Sequence, residues 1–108
     1  MEISKKDWKL FREKIGQWQE SYMDKLTKEY AEMLTRSGAA SEKFWALDKR
    51  IKEDKKRPGV QLSLRKSDVD LHIAMLINDG VIGFADIEDF SEELQDRCRE
   101  LVGFWKER

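Results

Sequence analysis

The first candidates for catalysis in this 108-residue sequence are its one histidine and its one cysteine. A histidine can act as a general base and a thiolate as a nucleophile, but each needs a charged or hydrogen-bonding partner beside a reacting centre. His72 follows Val69 by three residues and precedes Leu76 by four, which predicts a partly buried side chain on an apolar helical face. Cys98 falls in another apolar stripe and is predicted to be a small buried thiol. The sequence therefore predicts no catalytic residue and no enzyme.

The segment NDGVIGFADIEDF has a pattern similar to the second half of a calcium-binding EF-hand loop. Such a loop needs oxygen ligands at positions 1, 3, 5 and 12 and a glycine at position 6. With Gly80 at position 6, the apolar residues Met75 and Ile77 occupy positions 1 and 3. Only Asp79 and Asp86 could then bind a cation, so no metal site is predicted. No glycine-rich phosphate loop is present either, and we expect no cofactor.

A third feature with chemical potential is the uneven distribution of charge along the chain. Residues 43–66 contain nine Lys or Arg and three acidic residues, whereas residues 67–96 contain nine acidic residues and no Lys or Arg. A basic cluster can bind the phosphates of a nucleic acid. The candidate side chains for a nucleic-acid or partner-binding patch are Lys49, Arg50, Lys52, Lys55, Lys56, Arg57, Arg65 and Lys66.

Three observations weaken the nucleic-acid interpretation of this basic segment. Glu53 and Asp54 interrupt it, and aromatic residues that could stack on bases are absent between Trp45 and Phe84. The connector after it is also longer than the turn of a helix-turn-helix motif. Alternatively, the basic segment faces the acidic one, either within one molecule or across a dimer, where such pairs would determine helix order and partner choice.

The apolar periodicity predicts an all-α fold, a small bundle of about four helices. Apolar residues recur every three or four positions from Trp8 to Met33, which is typical of an amphipathic helix. The second helix carries Phe44, Leu47 and Ile51 on one face. The helices are predicted at about 4–36, 41–56, 67–79 and 86–106, with an extended connector over 58–65 after Pro58. Capping boxes are predicted at Ser4–Asp7, Ser67–Asp70 and Asp89–Glu92.

The first predicted helix is long for a chain of this size. Thirty or so residues span roughly 50 Å, more than the ~30 Å width of a small domain. Gly16 lies within it, and glycine is unfavourable in a helix interior by about 1 kcal/mol. Because the apolar stripe keeps its phase across Gly16, we expect a kink there rather than a break. An overhanging apolar stripe would need a second chain, which predicts self-association.

Composition and length indicate a single helical domain over residues 1–108. Charged residues make up 40% of the chain, and the net charge is only −1. The N-terminal residues lack the apolar region of a secretory signal, and no uncharged stretch approaches the ~20 residues that span a bilayer. The sequence therefore predicts a soluble, cytoplasmic protein without a membrane span.

The chain resembles a set of short bacterial proteins of about 100 residues for which no function is established. The resemblance rests on the segments SKKDWKLFREKI, EKFWALDKRIKEDKKRPGV and INDGVI, and on the acidic stretch that ends in DFSEEL. Some proteins of this set carry the label multidrug transporter, which this sequence does not support because no segment can span a membrane. The resemblance implies one complete small helical protein and supplies no binding residues.

Together these patterns predict a non-enzymatic module that acts by binding another protein or by regulating one. A second copy of the chain, forming a homodimer, is one such partner. The alternative function is a nucleic-acid-binding regulator that uses the basic segment 49–66.

Overall fold

The computed structural model describes residues 1–107, and every regular element in that range is helical. The elements are α1 (Lys5–Thr35), α2 (Ala40–Asp54), a 3₁₀ turn (Lys66–Asp68), α3 (Val69–Asn78), a second 3₁₀ turn (Phe84–Ile87) and α4 (Glu92–Lys106). The predicted all-α fold with four helices and a long first helix is therefore confirmed.

Helix α1 begins at the predicted N-cap, but half of its capping box is replaced by a tertiary contact. The backbone N–H of Asp7 donates to Ser4 Oγ at 3.1 Å. The Asp7 carboxylate does not return to Ser4; it is buried and accepts hydrogen bonds from the Ser91 backbone N–H at 3.0 Å and Oγ at 2.5 Å. Because Ser91 is the N-cap of α4, one carboxylate joins the first turns of α1 and α4, where the helix dipoles favour a negative charge.

The end of α3 matches the predicted glycine cap. Gly80 has a φ of 77°, in the left-handed region that glycine adopts without strain. The N–H of Val81 donates to the Leu76 carbonyl at 2.9 Å, and the N–H of Gly80 donates to the Ile77 carbonyl at 3.1 Å. These two bonds form a Schellman motif, which satisfies carbonyls that the helix leaves unpaired.

The predicted start of the last helix at residue 86 is wrong. Asp86 instead accepts the Gly83 N–H at 2.7 Å and so closes a short 3₁₀ turn that places Ile87 in the core. The chain then turns before Ser91 caps α4 by accepting the Leu94 N–H at 3.3 Å. Asp89, the predicted cap, forms an ion pair with Lys14 at 3.4 Å.

The capping box predicted at Ser67 is also wrong. Residues Lys66–Asp68 form a 3₁₀ turn, and the N-cap of α3 is Asp68, which makes no side-chain capping bond. The local sequence favoured Ser67 as the cap, but a 3₁₀ turn begins one residue before it, at Lys66.

Helix α1 runs without a break through Gly16. The alternative of two separate helices is therefore excluded, and the kink at this glycine stays a prediction. Gly59, in the connector after α2, has a different role. A Cβ at this position would overlap the ring of Tyr22, so the close approach of the connector to α1 requires glycine.

The hydrophobic core is built by the first half of α1 together with α3, α4 and the segment between them. Its buried members are Ile3, Phe11, Ile15, Val69, Ile73, Leu76, Ile82, Ile87, Phe90, Leu94 and Cys98. Helix α2 contributes none of them, and its one buried side chain is the charged residue Asp54. The apolar side chains of α2 thus lie outside the core.

The molecule is consequently elongated. Its radius of gyration is 16.5 Å, against about 13 Å for a compact chain of this length, and its longest axis is 52 Å. The second half of α1 extends beyond the core and is accompanied there by α2. We call residues 22–35 of α1 together with α2 the arm.

Two phenylalanine-to-alanine substitutions test this division into core and arm. Phe11 is 0% exposed and Phe44 is 61% exposed. We expect Phe11→Ala to lower the free energy of unfolding by about 3–5 kcal/mol because it leaves a cavity. Phe44→Ala should change it by about 0.5 kcal/mol or less. Urea unfolding at low protein concentration measures both, and similar losses for the two variants would contradict the fold.

Candidate functional site

A buried carboxylate holds the two helices of the arm together. Asp54 is 3% exposed and lies in the last turn of α2. Its Oδ2 accepts a hydrogen bond from the hydroxyl of Tyr30 at 2.6 Å and another from Nε of Arg50 at 2.8 Å. A second nitrogen of the same guanidinium, Nη2 of Arg50, donates to Glu29 at 3.1 Å. Helices α1 and α2 are therefore joined by a shared polar network.

The same carboxylate connects the arm to the core. Its Oδ1 accepts a hydrogen bond from Nε of Arg57 at 3.3 Å. Arg57 also donates to Asp79 at 2.8 Å, just past the end of α3. The network thus extends from α1 and α2 to the segment that leaves α3, which fixes the base of the arm against the core.

This network shifts the protonation of its members. Burial acts to raise the pKa of Asp54, but hydrogen bonds from Tyr30, Arg50 and Arg57 outweigh it, so the pKa lies below its ordinary value of 3.8. Burial, followed by the hydrogen bond to Asp54, raises the pKa of Tyr30 to about 12. At neutral pH the carboxylate is therefore ionised and the phenol keeps its proton.

The structure does not bring the eight predicted basic residues together as one patch. Arg50 and Arg57 are engaged in the Asp54 network. Arg65 and Lys66 lie beside the chain start, next to Ile3. Because Arg50 contacts Glu29, these two sites are separated by about 36 Å along α1. The four lysines of the set are exposed on α2 and just after it: Lys49, Lys52, Lys55 and Lys56.

The basic and acidic segments make little contact with each other. Among the ion pairs of residues 1–107, only the one between Arg57 and Asp79 joins the two segments. Other acidic side chains pair elsewhere, as Asp89 does with Lys14 and Asp70 with Arg97. Of the two arrangements left open, pairing within one molecule is limited to this one contact, and pairing across a dimer stays a prediction.

An apolar groove lies between the two helices of the arm, on one side of the hairpin. It has a volume of about 240 Å³. The residues that line it are Met23, Leu26, Thr27, Tyr30, Ile51, Asp54, Lys55 and Val60. Tyr30 and Asp54 of the polar network are among these residues, but the exposed lining of the groove is almost entirely hydrocarbon.

Large apolar side chains are exposed at the tip of the arm. Phe44 and Trp45 are 61% and 65% exposed, and their rings form an edge-to-face pair with centroids 4.9 Å apart. Leu34, at the end of α1, is 45% exposed. Single exposed apolar residues are common, but two adjacent exposed aromatic rings are typical of interaction surfaces.

Sequence reasoning placed Phe44, Leu47 and Ile51 together on one face of α2 without identifying this surface. The positions of Arg50 and Asp54, three and seven residues after Leu47, could have indicated that this surface is exposed. Charged residues at those positions occupy the side of the helix that meets α1. A helix with an arginine and an aspartate on its inner side does not pack against an apolar core.

The two residues weighed for catalysis lie inside the core. Cys98 is buried, and burial raises the pKa of its thiol to about 12, so the reactive thiolate is not populated at neutral pH. His72 is also buried, and burial lowers its pKa against the opposing influence of Asp68 and Asp70. Its Nδ1 has no hydrogen-bond partner among the described residues.

The segment similar to an EF-hand places its acidic side chains on separate partners. Asp79 binds Arg57, and Asp86 accepts the Gly83 N–H. Within residues 1–107, no group of three or more His, Cys, Asp or Glu is arranged to hold a metal ion. None of the helices described there combines the length and apolar character needed to cross a bilayer.

Comparisons with protein-family models, curated proteins and solved structures find no match to this chain. The resemblance to short bacterial proteins therefore stays a prediction.

Substitution of Asp54 by asparagine tests the network that holds the arm. We expect Asp54→Asn to lower the free energy of unfolding at pH 7 by about 1–3 kcal/mol, because hydrogen bonds to a charged group are lost. The exposed carboxylate Asp24, which pairs with Lys28 at 2.8 Å, supplies the control. Asp24→Asn should leave the urea midpoint unchanged, and an equal midpoint for Asp54→Asn would contradict the role of the network.

The pH dependence of the Asp54→Asn effect has a defined sign. The folded-state pKa of Asp54 lies below its ordinary value of 3.8, so its ionised form stabilises the fold above pH 3.8. That contribution is lost as the pH falls through the folded-state pKa. Urea unfolding below pH 3.8 should therefore show a smaller difference between wild type and Asp54→Asn than unfolding at pH 7.

Proposed function

We propose that this protein is a non-enzymatic protein-binding module and that the arm is its contact surface. The observation that carries the proposal is the edge-to-face pair of Phe44 and Trp45, exposed by 61% and 65% at the tip of the arm. Aromatic side chains are enriched at the energetic centres of protein interfaces, where they contribute a large apolar area with little loss of conformational freedom.

The construction of the arm supports this function. Helix α2 buries no apolar side chain, yet Asp54, Tyr30 and Arg50 hold it against α1. An interface that is ordered before binding loses less conformational entropy on association than a flexible one. A polar network thus orders the two helices while their apolar groups remain available to a partner.

The positions of the basic side chains favour a protein partner over a nucleic acid. Binding to phosphates gains from many free cations on one surface. Arg50 and Arg57 are engaged within the molecule, and Arg65 and Lys66 lie far from the arm. Lys55 is the one lysine among the residues that line the apolar groove, and a charged group at the edge of an apolar surface is usual at protein interfaces.

The positions of the two candidate catalytic residues support a non-enzymatic role. Nucleophilic and acid–base catalysis require the reacting group to meet a substrate. Cys98 and His72 are buried in the core, away from the groove in the arm.

Photocrosslinking from the arm tests the proposal. A benzoylphenylalanine residue in place of Phe44 should form a covalent adduct with a protein, because the partner covers this ring. The same residue in place of Leu71, a 40% exposed side chain on α3, is the matched control and should form none. Adducts are separated by electrophoresis and identified by mass spectrometry.

Competition makes this experiment specific. Excess wild-type protein should abolish the adduct from position 44, whereas the Phe44→Ala/Trp45→Ala double variant should not. Three results would overturn the proposal: no adduct from position 44, equal adducts from positions 44 and 71, or an adduct that a nuclease removes. The last result would assign the arm to nucleic-acid binding.

A further inference from the structure

The connector after α2 contains a segment whose backbone is unpaired. Residues 61–65 belong to no helix, and we call them the open segment. In the part of the chain that the structure describes, the N–H groups of residues 62–65 and the carbonyl groups of residues 61–64 make no hydrogen bond. The N–H of Gln61 still donates to the Arg57 carbonyl at 3.0 Å. Backbone groups that are unpaired over several successive residues can pair with another chain.

The open segment has the conformation of an edge strand. Val60 and Leu62 are half-buried, whereas Gln61 and Ser63 are exposed. This alternation is that of an extended chain with one face on the protein. Leu62 packs against the hydrophobic core, and Arg65 has a φ of −133° and a ψ of 133°, in the β region. The protein therefore presents an extended backbone that is ready to pair.

An open cavity adjoins each end of this segment. The first has a volume of about 450 Å³, and residues 61–63 line it together with Lys55 and Lys56. The second has a volume of about 540 Å³ and is lined by Arg65 and Lys66 among others. Both volumes lie in the range of roughly 300–1,000 Å³ that is usual for binding clefts. A chain laid along the open segment thus has room at both ends.

The charge around the open segment is one-sided. Residues 55–67 contain five Lys or Arg and no Asp or Glu. One of the five, Arg57, is engaged by Asp54 and Asp79. Glu2 is the one acidic residue that lines either cavity. Among the ion pairs of residues 1–107, none includes the other four basic side chains, which are Lys55, Lys56, Arg65 and Lys66.

We propose that the open segment binds an acidic peptide in an extended conformation. The peptide adds a strand beside residues 61–65, and its carboxylates meet the basic side chains of the two cavities. Main-chain hydrogen bonds supply affinity in this mode of recognition, and side-chain contacts supply selectivity. This inference goes beyond the proposed function, because it uses residues outside the arm and names a different class of ligand.

The unpaired groups of the segment favour a peptide over a nucleic acid. Phosphate groups accept hydrogen bonds but donate none, so they would leave the carbonyl groups of residues 61–64 unpaired. A peptide strand offers donors and acceptors in alternation and satisfies both kinds of group. The four basic side chains alone do not make this distinction, and the main-chain groups between them do.

The distance between the cavities sets the length of the test peptide. Gln19 lines one cavity and Ile3 the other, which places the cavities about 24 Å apart along α1. An extended nonapeptide spans about 30 Å and reaches both. The probe is therefore a capped nonapeptide of five alternating valine and threonine residues with two glutamates at each end.

Calorimetric titration of the full chain with this peptide tests the inference. We expect saturable binding that weakens between about 0.05 and 0.5 M salt. The same peptide with N-methyl groups on its five central residues keeps its charge but loses main-chain donors there, and should bind about tenfold more weakly. A counterpart with lysine in place of each glutamate should not bind.

Proline variants of the chain test the main-chain contact from the other side. Ser63→Pro and Leu64→Pro each remove one backbone donor, whereas Ser63→Ala and Leu64→Ala keep it. Successive N–H groups of a strand point to opposite edges, and the peptide occupies one edge. One of the two prolines should therefore weaken binding about tenfold relative to its alanine control. Circular dichroism verifies that the variants keep the helical content of wild type.

Paired substitutions test the charge. Lys55→Gln/Lys56→Gln and Arg65→Gln/Lys66→Gln should each weaken peptide binding about fivefold, because each removes two cations from one cavity. The matched control is Lys25→Gln/Lys49→Gln, which removes the same charge from exposed positions of the arm. This control should leave the dissociation constant unchanged.

Five results would overturn the inference. They are no saturable binding up to about 1 mM peptide, equal binding of the N-methylated peptide, equal binding of the lysine peptide, prolines that act no differently from alanines, and charge variants that act like their control. Pentathymidylate, which carries the same charge as the peptide, is the competitor. Binding as tight as that of the peptide would show a phosphate-binding patch and also overturn the inference. None of these results bears on crosslinking from position 44, which reports on the arm.

Discussion

The arrangement of this molecule depends on one buried carboxylate. Asp54 is nearly inaccessible to solvent, and its two oxygens accept hydrogen bonds from Tyr30, Arg50 and Arg57. An unpaired carboxylate at such a position would be costly, whereas one that three donors satisfy holds its neighbours in a defined geometry. Without this group, α2 would lose the polar network that joins it to α1 and to the segment after α3, and it contributes no apolar side chain to the core.

This constraint divides the chain into two parts with different chemistry. The core is apolar and is fixed at its polar edge by Asp7, which joins the starts of α1 and α4 through Ser91. Charged and polar groups join the two helices of the arm, and its side chains Leu34, Phe44 and Trp45 are exposed. The apolar surface of the arm, which would be packed in the core of a larger bundle, is therefore exposed. We propose that a second protein binds to it.

Much of the fold could be predicted from the sequence, because it depends on local signals. The apolar period of α1, the Ser4 cap and the left-handed Gly80 are all encoded within a few residues. The wrong start of α4 came from Asp86 and Asp89, which are good local caps but have partners in a turn and on α1. The arm surface was missed for a similar reason. Periodicity shows that Phe44 and Ile51 share a face, but whether a core reaches that face depends on tertiary packing.

The central claim is that the arm is a folded hairpin outside the core and that the Asp54 network holds its two helices together. Amide hydrogen exchange on the wild-type chain and on Asp54→Asn tests it most directly. The account predicts that amides of α2 are protected in wild type and exchange faster in Asp54→Asn, while those of α3 are unchanged. Exchange of α2 in wild type at the rate of an unfolded chain, or equal exchange of α2 in the two proteins, would contradict it.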